Sequence, residues 1–403
     1  MKLNNAAIII NGYVLKESPS IYSFCKLLKD NDYNVDIFYN CLKKEDEIEY
    51  NKIDVNICAP QSKTIFIFNI LNSVFKYVKR LAPEKVKIQY LDKYLSAYVY
   101  YLKKIDFRKY QILIIIEPEA LLLYHYLKLD VPFTYWSLEL NNLSFEKNNE
   151  LAQFKKKLEK KYLNKCSAVI IQDEQRKRIL QTDNNITDNS KFCFLPVSVA
   201  GKICEQRNYY FNRKFNIPDD KIIVLYAGSI CDWAVVDKII LSSKKWADKF
   251  VLIVHSGRCD VQYLEYLKKL SADSNNIYFN IEWVEYDKLD LINSSADIGI
   301  SLYCDASENY RNTLFSSGKI AAYLKCGLPI IINNYASNFE FCSNNNCGAV
   351  IDSYKDISDK LNIISNSLSR YRECAFETFK KYYDFESKFN QILKIITENQ
   401  SNQ

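Results

Sequence analysis

The stretch that decides the fold is Ser316-Ser317-Gly318-Lys319-Ile320-Ala321-Ala322-Tyr323-Leu324-Lys325-Cys326-Gly327-Leu328-Pro329-Ile330-Ile331. Ser-Ser-Gly opens a helix, which ends at Cys326-Gly327, and Leu328-Pro329 leads straight into a buried strand. The first amides of such a helix have no partner within it, and the positive end of its dipole points the same way. Lys319 falls in that first turn, where a cation is disfavoured. A lysine there makes sense if an anion, such as a diphosphate, shares the site. The plainer alternative is a capped helix with a surface lysine.

Outward from this stretch, short apolar runs alternate with amphipathic segments, the pattern of parallel α/β domains. The second half predicts strands at 221–227, 250–255, 277–281, 297–303, 329–333 and 348–351. The first half predicts strands at 6–10, 33–39, 111–116, 131–136, 168–171 and 192–195, with helices at 20–29 and 153–166. The expected fold class is α/β, with two Rossmann-like parallel-sheet domains facing across a cleft. Ligands of such sheets bind at the carboxyl ends of the strands. The expected division is 1–198, 199–375 and a closing helical tail over 376–403.

One segment breaks the rhythm. Residues 66–110 are helical in character, aromatic and basic, with Lys76, Lys79, Arg80, Lys85, Lys87, Lys93, Lys103, Lys104, Arg108 and Lys109. Two readings stand for it: a face that meets an anionic membrane surface, or a helical insertion whose lysines are simply solvated.

Composition removes several classes. The chain has 403 residues, 48% hydrophobic and 25% charged, with 8 Gly and 8 Pro, so low-complexity or disordered character is excluded. A formal charge of +6 with ten arginines is too weak a basic bias for a dedicated nucleic-acid binder, and no nucleic-acid partner is expected. The 13 cysteines include no C-x-x-C pair, and Cys342 and Cys347 are the closest two, which favours free thiols over a disulfide framework or a zinc site. Asp30-Asn31-Asp32, the only D-x-D, reads as a turn between a helix and a strand. No metal and no cofactor are expected. No signal peptide or membrane span is read, because the apolar run 6–10 stops at Asn11-Gly12, and a cytoplasmic location follows, with peripheral association at the inner face of the cell membrane as its extension.

The stretch 316–331 resembles the donor-binding helix of GT-B glycosyltransferases, in which S-K-L-x-E-Y-L-x-x-G-x-P-V-I patterns recur. The neighbouring motifs agree in order. Tyr226-Ala227-Gly228-Ser229-Ile230 resembles the first strand and glycine turn of the donor domain. Val254-His255-Ser256-Gly257-Arg258 resembles its second strand. Asn293-Ser294-Ser295-Ala296-Asp297-Ile298-Gly299-Ile300 resembles the strand before the donor loop. In the first half, Val131–Glu139 and Lys165–Arg176 match the strand that runs into the cleft and the strand before the linker. The resemblance is nearest to family-4-like transferases of bacterial surface polysaccharide synthesis and covers most of the chain apart from 66–110.

The resemblance implies a nucleotide-diphosphate sugar, UDP-linked, as co-substrate and a lipid-linked or growing glycan as acceptor, with retention of configuration. It implies donor contacts from Gly228, Ser229, Gly257, Arg258, Val284, Asn312, Ser317, Gly318 and Lys319. The backbone near Trp283 and Val284 would meet the base, and Gly12 lies on the acceptor-side loop. The chain also departs from the pattern. Family-4 enzymes carry two glutamates eight residues apart, but here those positions are Leu314 and Ala322. Glu308 and Glu139 remain as catalytic candidates, with Glu117 and Glu119 at an equivalent strand end. The missing pair keeps one alternative open, a catalytically silent partner of another transferase. The shared two-domain architecture leaves a second, a sugar-nucleotide epimerase, which would need carboxylates flanking the sugar in both domains.

Overall fold

The computed structural model describes residues 4–12, 15, 18–39, 44–59, 96–141, 149–335 and 337–401. The chain divides into two compact units, Met1–Leu195 with Glu386–Gln403, and Pro196–Phe385.

The first unit is built on a seven-stranded sheet: β1 (Asn4–Ile10), β2 (Tyr33–Tyr39), β3 (Asn56–Cys58), β4 (Ile112–Ile116), β5 (Thr134–Trp136), β6 (Ala168–Ile171) and β7 (Phe192–Phe194). Their order is β3-β2-β1-β4-β5-β6-β7, and all pairs are parallel. Ile8 pairs with Ile37 on one side and Ile114 on the other. Strands sandwiched between helix layers lose their alternation, and Ala6–Ile10 and Ile112–Ile116 are buried throughout.

The second unit holds a six-stranded parallel sheet: β8 (Ile222–Ala227), β9 (Phe250–Ser256), β10 (Ile277–Ile281), β11 (Ile298–Ser301), β12 (Ile330–Asn333) and β13 (Gly348–Ile351). The order β10-β9-β8-β11-β12-β13 reverses direction between β8 and β11, the kind of switch point at which α/β sheets bind ligands. Gly299 in the middle of β11 has a packing reason. A Cβ there would lie 2.3 Å from the ring of Tyr323, on the helix Gly318–Lys325 that covers the strand.

Several sequence expectations need correction. The strand expected over 131–136 begins only at Thr134, because Pro132 offers no N–H to a ladder and the Val131 carbonyl accepts from the Tyr124 hydroxyl instead. β3 was not anticipated, since three half-exposed edge residues carry no apolar signal. The boundary between units falls at Leu195, not 198. Glu386–Gln403 return to the first unit, where Phe389 packs edge-on against Phe24 at 4.8 Å between ring centres. The preceding helix, Leu368–Tyr382, stays with the second unit, and Tyr383 just beyond it donates a hydrogen bond to the Leu314 carbonyl at 2.7 Å.

Residues 66–95 of the basic aromatic segment lie outside the described residues. Its remainder is anchored in the core, for Tyr98, Leu102 and Phe107 are buried in the same cluster as β4 and β5. Lys103, Lys104, Arg108 and Lys109 are exposed. Asp30-Asn31-Asp32 forms the turn expected of it, with Asn31 capping a helix and Asp32 in the left-handed region. Among the described residues, no helix is long and apolar enough to cross a membrane.

Candidate functional site: a caged lysine at a helix N-terminus

The N-terminal end of the helix Gly318–Lys325 adjoins the carboxyl ends of β8 and β11. Ser317 is its N-cap residue, but its hydroxyl does not cap the helix. That hydroxyl is held by the Tyr303 phenol at 2.8 Å, with the Ser301 hydroxyl at 3.4 Å. Among the described residues, the amides of Gly318 and Lys319 have no acceptor within the unit. They remain available to an anion.

Lys319 is the centre of the arrangement. Its ammonium sits 4.3 Å from the ring centre of Tyr303 and 4.8 Å from that of Tyr226. Its stem lies against Gly228, where a Cβ would come within 3.0 Å of Lys319 Cδ and 3.4 Å of Nζ. Gly228 is therefore a glycine because the lysine occupies the space a side chain would need. Among the described residues, Lys319 forms no ion pair with a carboxylate. Two ring faces attract the cation without neutralising it, so its charge remains for a ligand.

The same phenol that closes the core also docks this helix. Tyr323 is fully buried, and its hydroxyl accepts from the Ala227 amide at 2.7 Å, at the very end of β8. Next along the chain, the Gly228 amide donates to the His255 carbonyl at 3.0 Å, and the Ser229 carbonyl accepts from the Tyr226 hydroxyl at 2.7 Å. The glycine turn is thus tied to β9 and to its own strand.

Arg258 lies exposed after β9. Its backbone is fixed by the Ser256 hydroxyl, which accepts from the Arg258 amide at 3.1 Å and donates to the Arg258 carbonyl. Lys319 and Arg258 both act on the Cys231 thiol, opposing the burial that pushes it up to about 11. Two cations therefore surround the turn after β8. Gly257 is crowded by Trp283, whose Cα would lie 3.1 Å from a Cβ at that position, while Trp283 itself is 41% exposed. Val284 is half-buried against the core.

The remaining candidates are committed elsewhere. Asn312 is buried and donates to the Glu308 carbonyl at 2.8 Å and to the Glu308 carboxylate at 3.1 Å. Glu308 also pairs with Arg311 at 3.3 Å, and Arg311 in turn holds Asp305. Leu314 is a core residue and Ala322 is half-buried, so no carboxylate occupies either position of the family-4 pair. His255 is buried, with Nδ1 between the Asn280 carbonyl at 3.1 Å and the Asn280 amide nitrogen at 2.9 Å. Burial pulls its imidazole down to about 4, which leaves it neutral and structural near pH 7.

In the first unit, Gly12 follows β1 with φ at +74°, and a Cβ there would stand 3.7 Å from Glu119 Cγ. Asn11 donates to the Glu119 carbonyl at 3.1 Å, and Lys155 pairs with the Glu119 carboxylate at 2.6 Å. Glu139 is exposed on the loop after β5. That loop is braced from three sides. Glu117 accepts from the amides of Leu138 at 2.5 Å and Glu139 at 2.8 Å, and from the Asn141 side chain at 3.1 Å. Arg176, fully buried, donates to the Leu138 carbonyl at 2.9 Å. Gln172 donates to the Ser137 carbonyl at 2.6 Å.

Glu117 is 4% exposed and takes a left-handed φ of +67°. Burial above all, then the charge of Glu119, pushes its carboxyl up to about 8 against the pull of the two amides. Sequence reasoning placed Glu117 at the right strand end, but nothing in the residues around it showed that it braces the loop carrying Glu139. It also passed over Tyr226 and Tyr303. In a chain with 31 tyrosines, two at strand ends carry no signal of their own.

The two parallel sheets, each with its switch point, define a GT-B fold. The chain shares this fold over nearly its whole length with Anabaena HepE solved in complex with UDP-glucose, at TM-score 0.66 and 11% identity, covering 97% of this chain and 99% of that one. Sucrose-phosphate synthase from Thermosynechococcus elongatus superimposes with TM-score 0.71 at 14% identity, over 99% and 100% of the two chains. WaaG, a glycosyltransferase involved in lipopolysaccharide biosynthesis, does so with TM-score 0.59 at 12% identity, over 97% and 98%.

The fold is therefore that of the GT-B glycosyltransferases. Within it, residues 243–381, which include the caged lysine and the helix that carries it, match the glucosyltransferase 3-like C-terminal domain. No curated protein matches the chain in sequence.

Proposed function

We propose that the chain is a glycosyltransferase that moves a sugar from a UDP-linked donor to a lipid-linked or growing glycan in surface polysaccharide synthesis. The observation that carries this is Lys319: a cation without a counter-charge, held by two rings at a helix N-terminus with unspent amides. Diphosphate is the anion that uses all of these groups together.

In this proposal Lys319 and the amides of Gly318 and Lys319 hold the diphosphate, with Arg258 as second cation. They stabilise the negative charge that grows on the leaving group as the glycosidic bond breaks. Protein cations do this without a divalent metal. The backbone by Trp283 and Val284 meets the base. Glu139, on the loop after β5, is the candidate orienting group or base. Retention of configuration belongs to the proposal on the strength of the family-4 resemblance alone.

Thermal unfolding against a panel of nucleotide diphosphates and nucleotide sugars tests it, on wild type and Lys319→Ala. A ligand of the folded state raises the midpoint by mass action. UDP species should stabilise the wild type, and the alanine variant should lose most of the shift. Absence of any nucleotide shift would overturn the donor site.

A second reading is favoured by one observation, the apolar residues at 314 and 322: a silent partner that stabilises another transferase. Retained UDP binding with no donor hydrolysis and no transfer to any glycan acceptor would select it.

A further inference from the structure

The Pro196–Phe385 unit contains a pair of thiols that the donor site does not use. Cys204 lies half-buried in the segment that enters the unit, and Cys326 is the fully buried cap at the C-terminal end of the helix Gly318–Lys325. The Cys204 amide donates to the Lys325 carbonyl at 2.9 Å, which sets residue 204 beside residue 326. The Cys204 thiol donates to the Gln206 carbonyl at 3.7 Å, and the two thiols act on each other's titration.

Their surroundings treat them unequally. Lys325 stands nearby, its ammonium 2.8 Å from one oxygen of Asp290, while the other oxygen lies 3.9 Å from Cys326 Sγ. Hydrogen bonding from Cys326 first, then from Ser294, pulls the Cys204 thiol down to about 6, although burial and Asp290 oppose it. Cys326 is pushed up by the same contact, by burial and by Asp290. The thiolate is the reactive form, so one member of the pair is poised to attack and the other to resolve.

We propose that Cys204 and Cys326 form an oxidisable dithiol, with Cys204 as attacking thiol, Cys326 as resolving thiol and a hydroperoxide as oxidant. The Cys204 thiolate attacks the outer peroxide oxygen, the O–O bond breaks, and hydroxide (or alkoxide) leaves with the electron pair. Cys204 becomes a sulfenic acid. Cys326 sulfur then attacks the Cys204 sulfur, the S–O bond breaks, and water leaves with the proton of the Cys326 thiol. The sulfurs lose two electrons and the peroxide gains them. The disulfide ties the entry segment to the far end of the helix that carries Lys319.

The unit supplies its own control. Cys342 and Cys347 also act on each other's titration, but both are buried, at 3% and 0% exposure, which bars an oxidant in solution.

The test treats the full chain with hydrogen peroxide, unfolds it in guanidinium, blocks remaining thiols with iodoacetamide and maps peptides by mass spectrometry. The expected product joins the Cys204 and Cys326 peptides, two hydrogens lighter than their sum, and dithiothreitol reverses it. In Cys326→Ser, dimedone should capture a sulfenic acid at Cys204; in Cys204→Ser, Cys326 should remain alkylatable. The wild-type map stands by itself if a variant fails to fold. The proposal is overturned if the Cys204 and Cys326 peptides stay unlinked while other cysteines oxidise, or if Cys204 pairs with a different thiol.

Discussion

Lys319 in the second unit and Glu117 in the first both stand near the carboxyl end of a sheet, and the protein treats them in opposite ways. Lys319 has its stem packed and its charge left over, with ring faces where a carboxylate would otherwise sit. Glu117 has its charge suppressed and every contact spent on its own chain, in amides of the 138–141 loop. On the proposed function, the difference separates a group kept for a ligand from a group kept for the fold. A titratable side chain at a strand end is not yet a catalytic one; what matters is whether its bonding capacity has been used.

The largest effect expected from this contrast is on Lys319→Ala. Removing a charged partner of a diphosphate costs about 1.5–3 kcal/mol, so UDP affinity measured by calorimetry should fall by about tenfold to a hundredfold. The folded midpoint without ligand should barely move. A variant with a clearly lowered midpoint that still binds UDP as tightly as wild type would reverse the assignment of roles.

Glu117→Ala should do the opposite, lowering stability by about 2–3 kcal/mol through the amides it leaves unpaired. It should leave UDP affinity intact. Glu117→Gln sharpens the point through pH. The folded-state carboxyl, near 8, lies above its ordinary value of 4.5. Its protonated form therefore favours folding, fully below pH 4.5, and this contribution is lost as pH rises toward 8. Wild type should melt lower at pH 9 than at pH 6, and the glutamine variant should lose that part of the drop. An unchanged slope would mean that another group carries it.

Smaller effects should follow at the flanks. Arg258→Ala should weaken UDP binding by about threefold to tenfold, less than Lys319→Ala, because an exposed cation interacts through more solvent. Glu308→Gln should change stability by less than about 0.5 kcal/mol, since glutamine still accepts from the buried Asn312 amide and only the solvent-exposed ion pair with Arg311 is lost. It should also leave kcat within about threefold if its contacts with Arg311 and Asn312 are its whole role. A fall in kcat of a hundredfold or more would make Glu308 part of the chemistry.

Much of the fold was legible because parallel strands buried on both faces read as apolar runs. Ala6–Ile10, Ile112–Ile116 and Ile330-Ile331-Ile332 could hardly be anything else. The helix opening at Ser317-Gly318-Lys319 was legible for a local reason, the punctuation at both its ends. Long-range features were not legible. The Tyr226 ring reaches Lys319 from β8 and the Tyr303 ring from the loop after β11, and the brace from Glu117 to Leu138 spans two elements. No spacing in the sequence announces such meetings. The return of the last helix to the first unit was hidden for the same reason: Phe389 looks like any amphipathic-face residue until Phe24 is placed beside it.

Tyr323 has a consequence for how a ligand would meet this unit. Its ring lies over Gly299, and its hydroxyl bonds to the last amide of β8, so one buried side chain sets the height and rotation of the helix above the sheet. The ordering of that helix is completed when the unit folds and is not deferred until a nucleotide arrives. For the proposed donor site this means pre-organisation of the helix: a diphosphate would meet backbone amides already in place and would not lose affinity to the ordering of that helix.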